Sequence, residues 1–458
     1  MGNDKSPDFP SVSAKQWKQQ IQYELDGADY NETLVWESPE GIRVKPFYSR
    51  EDLSGYEQVL TSQQGTWKIA EAIQAADAEK ANMVARKALQ DGSEVLQCAI
   101  PSPKIVVSDL LEGIDLQEVS IHFRFDFLSV SYLESLLARL PEIPAGIFLH
   151  LDPIGRLVQT GSWFHGQKED LDAVAALLEK IASLHNVHLL GVDGALYLNA
   201  GANTVQQLAY KLAHANEYLN AFDGKLQVSP VFTMAIGADY FFEIAKFRAF
   251  RLLWKSLATE YSLPGECHIL ATPGLRNKTI YDYNNNMLRA TSECMSAILG
   301  TADTLVNLPY DILYRNHNDF SARMARNQLL IMKYESGLDE ITNPSDGAYY
   351  LESITRQLAE KSLALFKQLE AGGGFLKQLR EHTIQRKIKE SADRGQKAFE
   401  EGNRLLLGIN TQPDREQRMK REIEKSPFPG IAPRKTEIEP LFVRRLAMQT
   451  EQNRLADE

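Results

Sequence analysis

From Trp67 onward the hydrophobic pattern alternates between two periods. Short apolar runs of strand length are followed by amphipathic windows with helical spacing. The runs are "WKIAEAI" (67–73), "EVLQCAI" (94–100), "EVSIHFRFD" (118–126), "GIFLHLD" (146–152), "VHLLGVDGALY" (187–197), "VSPVFTMA" (228–235), "CHILATP" (267–273) and "DTLVNLP" (303–309). The windows lie near 76–90, 107–113, 130–140, 168–184, 204–220, 239–260, 283–299 and 320–335. Strands that alternate with helices pair in parallel through right-handed crossovers. Eight such units that close on themselves make a TIM (β/α)8 barrel, so an α/β barrel over 67–340 is expected. A doubly wound open sheet is the alternative.

The flanks read differently. Residues 1–66 are polar and aromatic and too few for a core of their own. There "SAKQWKQQIQYELDG" predicts a helix capped by Ser13, with Trp17, Ile21 and Leu25 on one face and Gly27 as its stop. This arm must pack on the barrel or on another chain, and a partner-wrapping role is expected. Residues 341–425 predict a helical extension packed on the barrel, with the Gly372–Gly374 run as helix cap and hinge. The charge-rich part of that region, 385–425, reads as solvated helix faces. Residues 426–458 read as a Pro-rich connector and a charged tail.

Composition narrows the function. With 458 residues, 43% hydrophobic and 24% charged, the chain has the make-up of a soluble globular protein. A net charge of −11 argues against nucleic-acid binding, which needs a basic surface. No apolar run reaches the roughly 18 residues of a membrane span, and the start lacks signal-peptide features. "MGNDKS" matches an N-myristoylation pattern through Gly2 and Ser6, but no second anchoring signal follows, and it reads as a chance match. Cys98, Cys267 and Cys294 fit neither a disulfide framework nor a zinc site, and a cytoplasmic home is expected.

Barrel chemistry belongs at the C-terminal ends of the strands. His122, Arg124 and Asp126 alternate on the third strand, and His150 and Asp152 alternate on the fourth. Each set shares a face. They form either an acid/base or metal pair in the mouth, or a satisfied polar layer, or they face the helix ring. The fifth strand end is apolar instead: Ala195, Leu196, Tyr197 and Leu198, followed by a T-x-x-Q capping box at Thr204 and Gln207. No phosphate loop, zinc spacing or nucleophile elbow stands out.

Several stretches together resemble the barrel domain of the methylmalonyl-CoA mutases, the adenosylcobalamin-dependent acyl-CoA mutase family. They are "LDGADY…LVWESPEGIRVKPFYS" near the start, "YFFEIAKFRAFRLLW" (240–254), "DYNNNMLRATSECMSAILG" (282–300), "FSARMARN" (320–327), and "RNQLLIMKYESGLDEITNPSDGAYYLESITRQLAEKSLALFKQLEAGGGF". The resemblance covers nearly the whole chain. It implies a barrel that holds an acyl-CoA along its axis, and a C-terminal domain that presses cobalamin onto the mouth. The reaction it implies is radical interconversion of methylmalonyl-CoA and succinyl-CoA. In some bacteria the enzyme is a heterodimer of a large catalytic and a related small subunit.

Three departures from the family pattern set the expectation for this chain. The first strand of catalytic members carries Arg-Gln-Tyr, where this chain has Ala70, Glu71 and Ala72. The fifth strand end carries Gly-Tyr-His before an Ala-Gly-Ala turn, where this chain has Gly194, Ala195 and Leu196 before Ala200-Gly201-Ala202. None of the nine histidines sits in an Asp-x-His-x-x-Gly cobalt-ligating motif. A leucine cannot donate a hydrogen bond to a thioester carbonyl, and Ala72 cannot fill the volume of a tyrosine. The resemblance therefore implies a small, non-catalytic subunit with no catalytic residue and no cofactor or metal of its own. Adenosylcobalamin would sit in a large-subunit partner, with no nucleic acid or membrane involved. A split mutase barrel that still binds CoA esters and an assembly or effector protein are the alternatives.

Overall fold

The computed structural model describes residues 12–53, 67–139, 146–182, 184, 186–428 and 435–458. The MGNDKS start lies outside the described residues. The arm contributes helices α1 (Ala14–Glu24) and α2 (Tyr30–Leu34) and an antiparallel pair, β1 (Trp36–Glu37) with β2 (Arg43–Val44). The barrel then runs β3 (Lys68–Gln74), α3 (Ala78–Gln90), β4 (Val95–Ile100), α4 (Val107–Leu110), β5 (Ser120–Phe125) and α5 (Val130–Arg139). It continues β6 (Ile147–Leu151), α6 (Pro153–Thr160), α7 (Gln167–Ile181), β7 (Val187–Asp193), α8 (Ala195–Ala200), α9 (Thr204–Ala221) and β8 (Val231–Ile236). It ends α10 (Tyr240–Glu260), β9 (Ile269–Pro273), α11 (Asn285–Leu299), β10 (Thr304–Val306) and α12 (Asp319–Leu330), which runs on into a π-turn at Ile331–Glu335. The helical extension holds α13 (Tyr349–Ala371), α14 (Phe375–Arg380) and α15 (Thr383–Glu400), and α16 (Met448–Ala456) ends the chain.

The eight strands β3 to β10 form a closed, all-parallel barrel, with β10 pairing back onto β3 through Thr304 and Lys68. The alternation of the sequence is thus a (β/α)8 barrel and not an open sheet. Residues of one parity, such as Leu96, Cys98, Ile121, Phe123 and Leu149, are buried in the main core under the helices. The other parity turns to the axis, as His122 on β5 shows by meeting His268 from the β9 side of the barrel. The helices start where short polar side chains take up free N–H groups: Asp77 accepts from Lys80 at 3.0 Å and Asn318 from Ser321 at 2.9 Å.

Two boundaries differ from expectation. The fifth barrel strand stops at Asp193 rather than Tyr197, because the chain coils into α8. The box that starts α9 is Asn203 with Gln206, not Thr204 with Gln207. Gln207 instead donates to Ala202 O at 2.9 Å.

The extension covers one side of the barrel. α13 packs on α9 and α10. It ends at the glycine run, where Gly373 and Gly374 take φ of 102° and 89°, a region open to glycine, and α14 follows at once. After residue 435 the chain crosses the mouth side of the barrel by main-chain hydrogen bonds. Leu441, Arg444 and Leu446 donate to Val158 O, Asn199 O and Arg276 O at 2.9, 2.8 and 2.9 Å.

The arm divides. Ile42 is fully buried in the barrel core, Trp36 meets Phe242 edge-on at 5.7 Å, and Glu40 accepts from the N–H of Thr204 at 3.1 Å. Helix α1 keeps its Ser13–Gln16 capping box but buries no residue, and Trp17 and Tyr23 stay exposed.

Candidate functional site at the barrel mouth

The axis of the barrel is filled by aromatic rings. His122 of β5 stacks on Phe148 of β6 with centroids 4.2 Å apart, and Phe148 stacks on His188 of β7 at 4.8 Å. His268, beside β9, lies 4.4 Å from Phe148 and 5.2 Å from His122. The strands β5 and β9 face each other across the barrel, so these four rings bridge the bore. His122 Nδ1 and His150 Nε2 share one hydrogen bond of 2.7 Å, which requires at least one neutral ring. Burial and the neighbouring histidines hold His122 well below the usual imidazole range. Burial, then Arg124, lower His150 to about 3. Burial lowers His268 to about 4 and moves His188 down as well. The four histidines His122, His150, His188 and His268 are therefore neutral at neutral pH.

The sequence candidates do not form one site. His122 and His150 meet, as shared inward parity suggested. Asp152 does not join His150, because His150 adopts φ of 42° and the ladder to β7 shifts register between Phe148 and Leu151. Asp152 instead caps α6 through Gly155 N–H at 2.8 Å. It also accepts from His214 (2.9 Å), Tyr218 (2.7 Å) and the N–H of Asp193 (2.8 Å). Burial would raise its pKa, but His214 and these donors win and hold the carboxyl below its usual range. Arg124 turns to Asp193 at 2.8 Å, and Asp126 only lines the mouth. Asp152→Ala should thus act on stability. Losing a helix cap and stranding buried donors costs about 3 kcal/mol, read as a lower urea midpoint.

The apolar stretch after β7 has a structural cause. Gly194 N–H donates to Thr233 O at 2.9 Å and Ala195 N–H to Asp193 at 3.1 Å, which turns the chain into α8. A Cβ on Gly194 would lie 2.0 Å from Lys211 Cε and 3.0 Å from Thr233 O, so a larger residue there would have to displace the buried lysine chain. Tyr197 is fully buried and its hydroxyl meets His214 at 3.0 Å. Ala195 and Leu198 pack with Ala235. Lys211 itself is buried, with its ammonium 4.7 Å from the Phe250 ring centre, and burial holds its amine well below the usual lysine range. The sequence reading passed over this lysine, and over Phe148, His188 and His268. A polar residue second in each of the runs "VHLLG" and "CHILA" was the available signal.

Two cavities flank the plugged axis at the mouth. One, of about 80 Å³, is lined by His150, Arg124, Asp193, Thr233 and Leu196. The other, of about 200 Å³, lies between β3 and α12 and includes Ala72. The two positions where the resemblance places catalytic side chains therefore both face open space, one as leucine and one as alanine.

The family profile described as methylmalonyl-CoA mutase matches residues 106–445. The chain belongs to the methylmalonyl-CoA mutase family. It is 29% identical over 441 residues to a methylmalonyl-CoA mutase small subunit from Porphyromonas gingivalis, covering 89% of this chain and 71% of that one. A small subunit from Streptomyces virginiae is 27% identical, with 93% and 74% covered. A large subunit from the same organism is also 27% identical, but the match covers 88% of this chain and 62% of the relative. The chain thus spans under two thirds of that large subunit and somewhat more of the small ones.

Adenosylcobalamin, which the family uses, does not fit the donors present. Among the described histidines, His188 meets Ser229 O at 3.2 Å, His268 meets Thr304 at 3.0 Å and His214 meets Asp152. His122 and His150 pair with each other, and His165 meets Asp170 at 3.1 Å. His122, His150, His188, His214 and His268 cannot swing out to cobalt without breaking these contacts, and the exposed His165, His317 and His382 lie in no cobalt-ligating motif. Among the described residues no cluster of metal-ligating side chains occurs, and no helix is long and apolar enough to cross a membrane.

Proposed function

We propose that this chain is the non-catalytic small subunit of a heterodimeric methylmalonyl-CoA mutase, paired with a large subunit that carries cobalamin and the radical chemistry. The observation that carries this reading is the filled bore. A barrel that threads an acyl-CoA along its axis needs a channel as wide as an extended alkyl chain. Here His122, Phe148, His188 and His268 occupy that space at ring-to-ring contact. Leu196 offers no hydrogen-bond donor at the mouth, and Ala72 offers no ring to press on a substrate. What such a subunit keeps is a rigid scaffold and a surface. Helix α1, with Trp17 and Tyr23 exposed, is the segment available to wrap a partner. The cytoplasm is the proposed compartment, in keeping with three free, buried cysteines.

The test is direct. The purified chain, supplied with adenosylcobalamin and methylmalonyl-CoA, should show no turnover and no saturable acyl-CoA binding. Mixed with the large subunit it should co-elute as a single complex on size exclusion. Turnover by the isolated chain, or failure to co-elute, would overturn the proposal.

A further inference from the structure

The larger mouth cavity is not part of the plugged axis, and its lining points to a ligand. Ala70 and Ala72 form one wall, on the inner face of β3. Across from them stand Arg315, His317, Arg326 and Lys425, drawn from the loop after β10, from α12 and from the C-terminal segment. Two carboxylates also face the space, and both are engaged. Glu71 accepts from Arg326 at 2.7 Å and from Ser93 at 3.4 Å, and Asp311 accepts from Asn318 at 2.9 Å. Arg315 is paired with Glu422. Lys425 and His317 have no side-chain hydrogen bond or ion pair among the described residues. The unengaged side-chain donors around this space are thus Lys425 and His317, together with the neutral amides of Gln74 and Asn316.

We propose that this cavity binds a small oxyanion, a carboxylate or a phosphate monoester, with its charge on Lys425 and His317 and its body over Ala70 and Ala72. The space suits it. About 200 Å³ holds several waters at roughly 30 Å³ each, enough for a group of five or six heavy atoms. A charged acceptor makes stronger hydrogen bonds to ammonium and imidazole donors than water does. The small side chains of Ala70 and Ala72 leave the room, which a ring at position 72 would fill. Such a ligand would act as an effector on the subunit, because the loop before α12 and the C-terminal segment that hold it are joined through it. The inference rests on the reading that no acyl-CoA threads this barrel.

The experiment titrates the full chain with inorganic phosphate and with malonate, at constant ionic strength set by chloride, and follows melting temperature and heat. We expect a saturable rise of several degrees with at least one probe, absent with chloride alone. Lys425→Ala should weaken binding at least ten-fold. Ala72→Tyr, which refills the space and removes no charge, should do the same. Lys420→Ala, a surface lysine outside the cavity, should bind as the parent does. No saturable response to either probe would overturn the inference, as would unchanged binding in both cavity variants. Binding of methylmalonyl-CoA with turnover would instead sink the proposed function, so the two failures are separable.

Discussion

Replacing Glu352 with alanine should destabilise the protein by about 3 kcal/mol, the cost of taking from a buried guanidinium one of its two carboxylates and from Gly347 N–H its acceptor. Glu352 lies in the first turn of α13 and Arg248 in the middle of α10, and both side chains are fully buried. Arg248 donates to Glu352 and, at 2.9 Å, to Asp346, while Glu352 also accepts from Gly347 N–H at 3.0 Å. This cluster ties the helical extension to the barrel. The variant would bury a guanidinium whose nearest carboxylate is gone and would loosen the start of α13. The double change Arg248→Met with Glu352→Leu should recover most of the loss, since an apolar pair of similar volume carries no desolvation cost. Lys225→Ala, which breaks the exposed pair with Glu179 at 3.1 Å, should cost less than about 1 kcal/mol. Urea unfolding of the variants side by side checks all three. A loss in Glu352→Ala no larger than that in Lys225→Ala would show that the extension is held by apolar packing alone.

The barrel was legible because its signal is a period, and period survives changes of individual residues. Eight apolar runs separated by amphipathic windows specify parallel strands however the mouth is furnished. The arm helix was legible for a local reason, since Ser13 and Gln16 are three residues apart and cap each other. What could not be read was anything set by contact across the barrel. His122 meets His268 from the opposite side, 146 positions away in the chain, and no local pattern encodes that meeting. Asp152 was misplaced because strict alternation fails at one residue, His150, whose positive φ breaks the ladder. The α8 turn was misread as strand because its apolar run matches either structure. The decision is made by Gly194 and by Lys211, a residue on another helix. The Thr204 box was one residue out because Asn203 is the stronger cap.

Acidification should weaken this protein well above the range in which ordinary carboxylates protonate, and the histidine plug is the reason. His150 and His268 titrate at about 3 and about 4 in the folded chain, against an ordinary value near 6.5. Their folded pKa values are depressed, so the unfolded chain binds protons that the folded chain refuses. Stability is then complete above about pH 6.5 and falls as the pH drops toward the folded values. At pH 5 each of these two residues should have cost roughly 2 kcal/mol, about 4 together, with His122 and His188 adding in the same direction. The cause is geometric. A charge on any one of these rings would be buried beside other histidines, and the carboxylates of Asp303 and Asp152, which favour charge on His268 and His150, offset too little of the burial cost. His268→Phe keeps an aromatic ring in the bore and removes one titrating group. It should flatten the fall between pH 7 and pH 5 by roughly 2 kcal/mol, whatever the loss of the Thr304 contact does to stability at pH 7. Urea midpoints of parent and variant across that interval give the difference in slope directly. Parallel curves would mean that His268 takes up its proton as readily in the fold as in the unfolded chain, and the bore would then have to be hydrated.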